Sequence, residues 1–151
     1  MREVFHQSLE DLQTRLDEIS DLVTVAIEKA TRAFAESDVA LAEEVIADDA
    51  QIDAMAVRLD EAAIEILARQ QPVARDLRIV ITALRVSASL ERMGDMAEHI
   101  AQLARLRFPE RAVPKGLKGT FRRMGELDVE LSRTLGDLLR TQDLRFADAI
   151  R

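Results

Sequence analysis

Cysteine, tryptophan and tyrosine are absent from the 151 residues, and only 5 glycines, 3 prolines and 5 phenylalanines are present. Without cysteine neither a disulfide framework nor a thiolate metal site can form, which fits the cytoplasmic location expected for this chain. No run approaches 18 uncharged apolar residues, so no segment is expected to span a membrane. The start, MREVFHQSLEDL, lacks the apolar stretch and small-residue cleavage site of a secretory signal. Positive charge is in deficit, 21 Lys and Arg against 28 Asp and Glu for a net charge of −7, and this argues against nucleic acid as a partner. A Gly-rich phosphate loop, a nucleophile elbow and a Ser/His/Asp set are all missing, so no enzymatic activity is expected. His6 and His99 are the only histidines, and the Glu-x-x-His pairs of di-iron bundles do not occur.

What the chain has is helix-forming sequence. Hydrophobic residues make up 48% and charged residues 32%, a composition that favours helices throughout. Leu9, Leu12, Leu16, Ile19, Val23, Ala26, Ala30 and Ala33 recur at helical spacing and predict a first helix over about 9–35. Glu36-Ser37-Asp38 interrupts it, with Ser37 or Asp38 as the cap of a second helix. That helix runs to about Gln70 along Val45, Asp49, Ile52, Ala56, Leu59, Ala63 and Ile66. Pro72 forces a turn and suits the first turn of a third helix, which ends near Leu106. Pro109, Pro114 and Gly116 mark a linker over 109–119, and a fourth helix follows from about Thr120 to Arg140. The expected fold is all-α: an antiparallel three-helix bundle over 1–108, then over 120–151 a fourth helix that begins a second bundle. Between Leu77 and Leu90 the third helix is apolar nearly all round apart from Arg78 and Arg85, which continue as a stripe to Arg92. It is therefore expected at the centre, against both neighbours and a second subunit. The fourth helix carries an apolar face including Leu127, Leu131, Leu135 and Leu138, to be covered by the first bundle or a second chain.

An internal repeat is visible at an offset of 105 residues. SDVALAEEVI (37–46) aligns with QDLRFADAIR (142–151), and Ile19, Leu22, Ala30 and Phe34 fall on Met124, Leu127, Leu135 and Leu139. The chain then holds one complete repeat and the opening of another.

Acidic residues occupy positions where apolar ones were due. Asp49 interrupts the second helix's apolar seam, and Glu91 and Asp95 continue the third helix's line of Leu77, Ile81, Leu84 and Ala88. Asp53 and Glu91 each lie 19 residues from Pro72, and Asp49 and Asp95 each lie 23, so a hairpin about Pro72 brings the four to one level. Four converging carboxylates cannot all stay ionised and unpaired without a large electrostatic cost. Some are protonated, or Arg or Lys neutralises them, or a cation binds. An all-oxygen ligand set suits Mg²⁺, Mn²⁺ or ferric iron. Gly94 lies inside this segment, where it costs roughly 1 kcal/mol against alanine. It admits either a closely packed helix or a hydrated ion. A solvated acidic face with a packing glycine is the competing reading.

QQPVARDLRIVITALRVSASLERMGDMAEHIA (70–101) and Asp49-Ala-Gln-Ile-Asp53 together closely resemble the PhoU family of phosphate-transport regulators. The resemblance implies two similar three-helix bundles, which accounts for the 105-residue offset. It implies a cytoplasmic negative regulator of the phosphate-starvation response that couples the phosphate ABC transporter to a membrane sensor histidine kinase in signal transduction. It further implies a homodimer and a metal, iron among the candidates, on Asp49, Asp53, Glu91 and Asp95. A metal-storage bundle, or a phosphotransfer bundle using His99, are the alternative functions. The sequence departs from the family pattern at Ser89, where many members are acidic, and at Met96, where many are polar.

Overall fold

The computed structural model describes the backbone of residues 2–150 and the side chains of residues 5–150. Five helices follow in order: α1 (Arg2–Glu36), α2 (Val39–Gln70), α3 (Ala74–Arg107), α4 (Lys118–Thr141) and α5 (Leu144–Ile150). The first three are 35, 32 and 34 residues long, rods of about 50 Å at 1.5 Å per residue. They form the expected antiparallel bundle. α1 starts earlier than its apolar periodicity suggests, because Phe5 and Leu9 still pack against the core.

The seams close on one another. Leu12, Ile19 and Val23 of α1, Val45, Ile52 and Leu59 of α2, and Val80 and Leu90 of α3 are all at most 2% exposed. One end of the core is alanine-rich, with Ala30 and Ala33 on α1, Ala42 on α2 and Ala101 and Ala104 on α3 buried together. Small side chains there allow the helix axes to approach closely.

Two turns set the register of the bundle. Ser37 takes a left-handed backbone, φ 61°, and Asp38 caps α2 by accepting a hydrogen bond from the Leu41 amide at 3.0 Å. Asp38→Ala is expected to cost about 1 kcal/mol in urea unfolding; an unchanged midpoint would show the cap to be idle. At the second turn Gln71 is left-handed, and α3 begins only at Ala74 behind an extended Val73. Pro72 therefore lies outside α3 rather than in its first turn, since Val73 must leave the helical region before α3 can begin.

Two expectations about placement are corrected. α1, not α3, is the central helix: among the described residues it packs against α2, α3 and α4, whereas α3 packs only against α1 and α2. Nor is α3 buried on most sides, because Leu77 and Ile79 are 39% and 40% exposed. Its buried positions are largely small, Ala83, Ser87, Gly94, Ala97, Ala101 and Ala104, so the neighbouring helices close on one narrow face.

α4 packs on the first bundle as expected, but by only part of its leucine face: Leu135 and Leu139 lie against the core, whereas Leu127 and Leu131 are 39% and 41% exposed. Its buried residues are Gly125, Ser132 and Gly136. A Cβ on Gly125 would collide with the Thr31 side chain, and one on Gly136 would lie 3.4 Å from Ser20 Oγ. The 105-residue offset carries Ser20 onto Gly125 and Thr31 onto Gly136, so the two contacts are images of each other. α1 and α4 are thus antiparallel partners about a local pseudo-twofold, an isologous contact made within one chain. Thr24 and Ser132 share a hydrogen bond of 2.7 Å close to that axis. Arg133, the repeat counterpart of Glu28, pairs with it at 2.6 Å, where two copies of Glu28 would repel. The turn after α4 repeats the first one: Gln142 is left-handed, φ 54°, and the Asp143 carboxylate accepts from the Arg145 amide at 3.0 Å.

Candidate functional site

The carboxylates meet midway along the α2–α3 seam. Asp49 stands between the buried Val45 and Ile52 and is itself half-buried. Opposite it, Gly94 is buried, and a Cβ there would sit 3.2 Å from Ile52 Cδ1 and 3.5 Å from Asp49 Oδ1. Gly94 thus resolves the puzzle of a glycine in mid-helix. Lacking a side chain, it lets Ile52 and the Asp49 carboxylate lie against the backbone of α3, an approach worth the lost helix propensity.

Asp49, Asp53 and Asp95 each offer a carboxylate oxygen, and these oxygens lie within 4.8 Å of one another. Glu91 does not join that group. Glu98, one turn beyond Asp95, raises the Asp49 pKa through its charge, as do Asp53 and Asp95. The packing of Gly94 against Ile52 slides α3 by about two residues from a hairpin folded at Pro72. That shift brings Glu98 toward Asp49 in place of Glu91. Spacing alone held a hint of Glu98, which follows Asp95 by three positions and so shares its side of the helix.

Burial pushes the Asp49 pKa up to about 6, reinforced by Asp53, Glu98 and Asp95 and opposed by His99. Of the three ways to relieve converging acids, neutralisation by Arg or Lys is not used. Among the described residues no ion pair involves Asp49, Asp53, Glu91, Asp95 or Glu98; the nearby Lys29 instead pairs with Glu44 at 3.1 Å and Asp48 at 3.2 Å. Protonation or a cation is left. Oxygens bound to a hard ion at about 2.0–2.5 Å lie roughly 3–4 Å apart, so small side-chain rotations suffice to close the three oxygens round one. Asp53 is exposed while Asp49 and Asp95 are half-buried, which keeps the point open to water and to ion entry. Volume for an organic ligand lies elsewhere, in a 930 Å³ cavity at the α2–α3 turn and in two others along α3 and α4.

Fold and site together define a class: bundles of long helices with a carboxylate cluster set into a helix–helix seam. Residues 16–104 match the PhoU domain. The whole chain is 39% identical to the phosphate-specific transport system accessory protein PhoU homolog 2 of Mycobacterium tuberculosis, and covers 71% of that protein. The protein from Edwardsiella tarda, a phosphate-specific transport system accessory protein PhoU, is 31% identical over 97% of this chain and 59% of its own length. Among solved structures, PhoU from Pseudomonas aeruginosa superposes with a TM-score of 0.91 at 32% identity, over 96% of this chain and 69% of that one. The chain belongs to the PhoU family. No helix among the described residues is long and apolar enough to cross a membrane.

Proposed function

We propose that this chain is an accessory protein of phosphate-specific transport that acts by association, with no reaction of its own. Its partners in this reading are the phosphate ABC transporter and a sensor histidine kinase, which it restrains while phosphate is plentiful. Similarity over all or nearly all of this chain to accessory proteins of that system, of which it spans 71% and 59%, carries the transport part of the reading. Long, rigid helices that bear ion pairs and apolar positions on their outer faces suit a protein that works through surfaces.

The second part of the reading is a hard cation, iron, Mn²⁺ or Mg²⁺, held by Asp49, Asp53 and Asp95, with Glu91 and Glu98 within a turn. The observation that carries it is the convergence of three carboxylates with no basic partner among the described residues. Oxygen-only ligands and an open side toward water favour such ions over a structural zinc. Protein purified without chelator should contain metal by elemental analysis, and Asp49→Ala with Asp95→Ala should remove it. Equal metal in the variant, or none in the wild type, would reduce the cluster to a solvated face. Capture of transporter components from cells tests the first part separately. His99 is exposed on α3 beside these acids, and His99→Ala should leave signalling intact; loss of signalling with metal retained would favour phosphotransfer.

A further inference from the structure

The charge of this chain is unevenly placed. Residues 99–125 hold seven Lys and Arg and a single acid, Glu110, whereas the other 124 residues hold 14 Lys and Arg against 27 acids. The basic segment comprises the end of α3, the loop over 108–117 and the start of α4. It sits at the end of the bundle where α1 gives way to α2. The Phe34 and Phe121 rings lie 5.6 Å apart there, and Arg105 reaches Glu43 of α2 at 3.4 Å. Within the loop the Phe108 and Leu117 amides donate to the Arg105 and Pro114 carbonyls. The loop is thus tied to the bundle at both ends and folded on itself.

Arg107, Arg111, Lys115, Lys118 and Arg122 are exposed and make no ion pair among the described residues. Of the acids at this end, Glu43 is held by Arg105, Glu44 by Lys29, and Asp38 caps α2, which leaves Glu36 and Glu110 against those five cations. Large apolar side chains stand among the cations. Leu103, Phe108 and Leu117 are 50%, 57% and 46% exposed, and Leu106, at 78%, is the most exposed large apolar side chain among the described residues. Such a surface has two demands. The headgroups of an anionic bilayer take the cations, and the boundary with the acyl chains takes the apolar side chains. Duplex nucleic acid would satisfy the charge and leave Leu106 and Phe108 without a partner. A partner helix needs a groove to lie in, and none of the cavities at the α2–α3 turn or along α3 and α4 is lined by residues 103–118. We propose that this end of the bundle docks on an anionic lipid surface, with Arg107, Arg111, Lys115 and Lys118 at the headgroups and Leu106 and Phe108 in the interface. The net charge of −7 does not oppose docking. The excess acid is spread along rods of about 50 Å, whereas charges are screened beyond about 8 Å at physiological ionic strength. A bundle standing on this end keeps most of its acid out of range. Neither the carboxylate cluster nor the open face of α4 takes part.

Co-sedimentation of the full purified chain with lipid vesicles tests this, with circular dichroism as a check on folding. Vesicles of phosphatidylcholine with about one third phosphatidylglycerol should bind the chain, and phosphatidylcholine alone should not. Raising the salt from about 0.05 M to about 0.5 M should weaken binding at least about tenfold as the screening length shortens. Arg107→Glu with Arg111→Glu should weaken it at least about tenfold at constant salt, and Leu106→Ser with Phe108→Ser severalfold. Arg58→Glu, exposed on α2, should bind as the wild type does. No binding to anionic vesicles would overturn the proposal, and single-stranded RNA or polyglutamate bound in their place would assign the patch to an acidic macromolecule. Binding that either double variant leaves intact, or an equal loss in Arg58→Glu, would overturn it too. The vesicles hold neither transporter nor metal, so this result is separate from those that test the partners and the ion site.

Discussion

Asp49→Asn is expected to make the metal-free protein more stable at pH 7 while abolishing its response to cations. Burial and three neighbouring acids hold the native Asp49 pKa at about 6, whereas the unfolded chain loses that proton near pH 4. Between those values the native state binds more protons, so stability falls as pH rises through 6, and the loss is nearly complete by about pH 7. The full shift corresponds to roughly 2–3 kcal/mol; solvent screening of a half-exposed cluster reduces it to about 1–2 kcal/mol. An amide of the same shape carries no charge and escapes that cost. Urea titrations at pH 5 and pH 7, with and without Mn²⁺, measure both halves. Wild type should lose stability on going from pH 5 to pH 7 without metal and regain it with Mn²⁺, and the variant should do neither. A variant less stable than wild type at pH 7 without metal would mean that the Asp49 charge is welcome in the fold, and the case for a cation would go with it.

Gly125→Leu is expected to lift α4 off the bundle without unfolding the bundle itself. Even a Cβ at this position collides with Thr31, whose branched side chain has little freedom to retreat on a helix. Overpacking of this kind costs about 3 kcal/mol. Among the described residues α4 packs only against α1 and its own successor α5, so the loss falls on its docking and not on the core of α1–α3. Amide exchange should accelerate across Lys118–Thr141 with little change at Leu59 or Val23. Unaltered protection of α4 would show that its contact with α1 is looser than the Gly125 and Gly136 packing implies. The Arg133–Glu28 and Arg140–Asp21 ion pairs are too exposed to hold α4 by themselves, and the part-buried Thr24–Ser132 hydrogen bond adds only about 1 kcal/mol.

Helical periodicity, the scarcity of breakers and the turns at Ser37-Asp38 and Pro72 were enough to specify an all-α antiparallel bundle, because each is a local property of the chain. The seam that marked Leu12, Ile19, Leu59 and Ile66 as core is local in the same sense: one stripe per helix must be buried, whatever buries it. The acids on the seam were legible too, since Asp49 breaks an apolar series and hairpin symmetry about one turn brings α2 and α3 to a common level. Which acids meet was not legible. Two residues of slip, set by Ile52 closing on Gly94, exchange Glu91 for Glu98 beside Asp49, and only interdigitating side chains determine that register. How much of α3 is covered, and which residues of α4 dock, were equally out of reach. An apolar outline says that a face is able to be buried, not that a neighbour is present to bury it. The closest approach of α1 and α4 runs through two glycines and a serine, residues with no hydropathy signal, because the approach of two backbones depends on the absence of side chains.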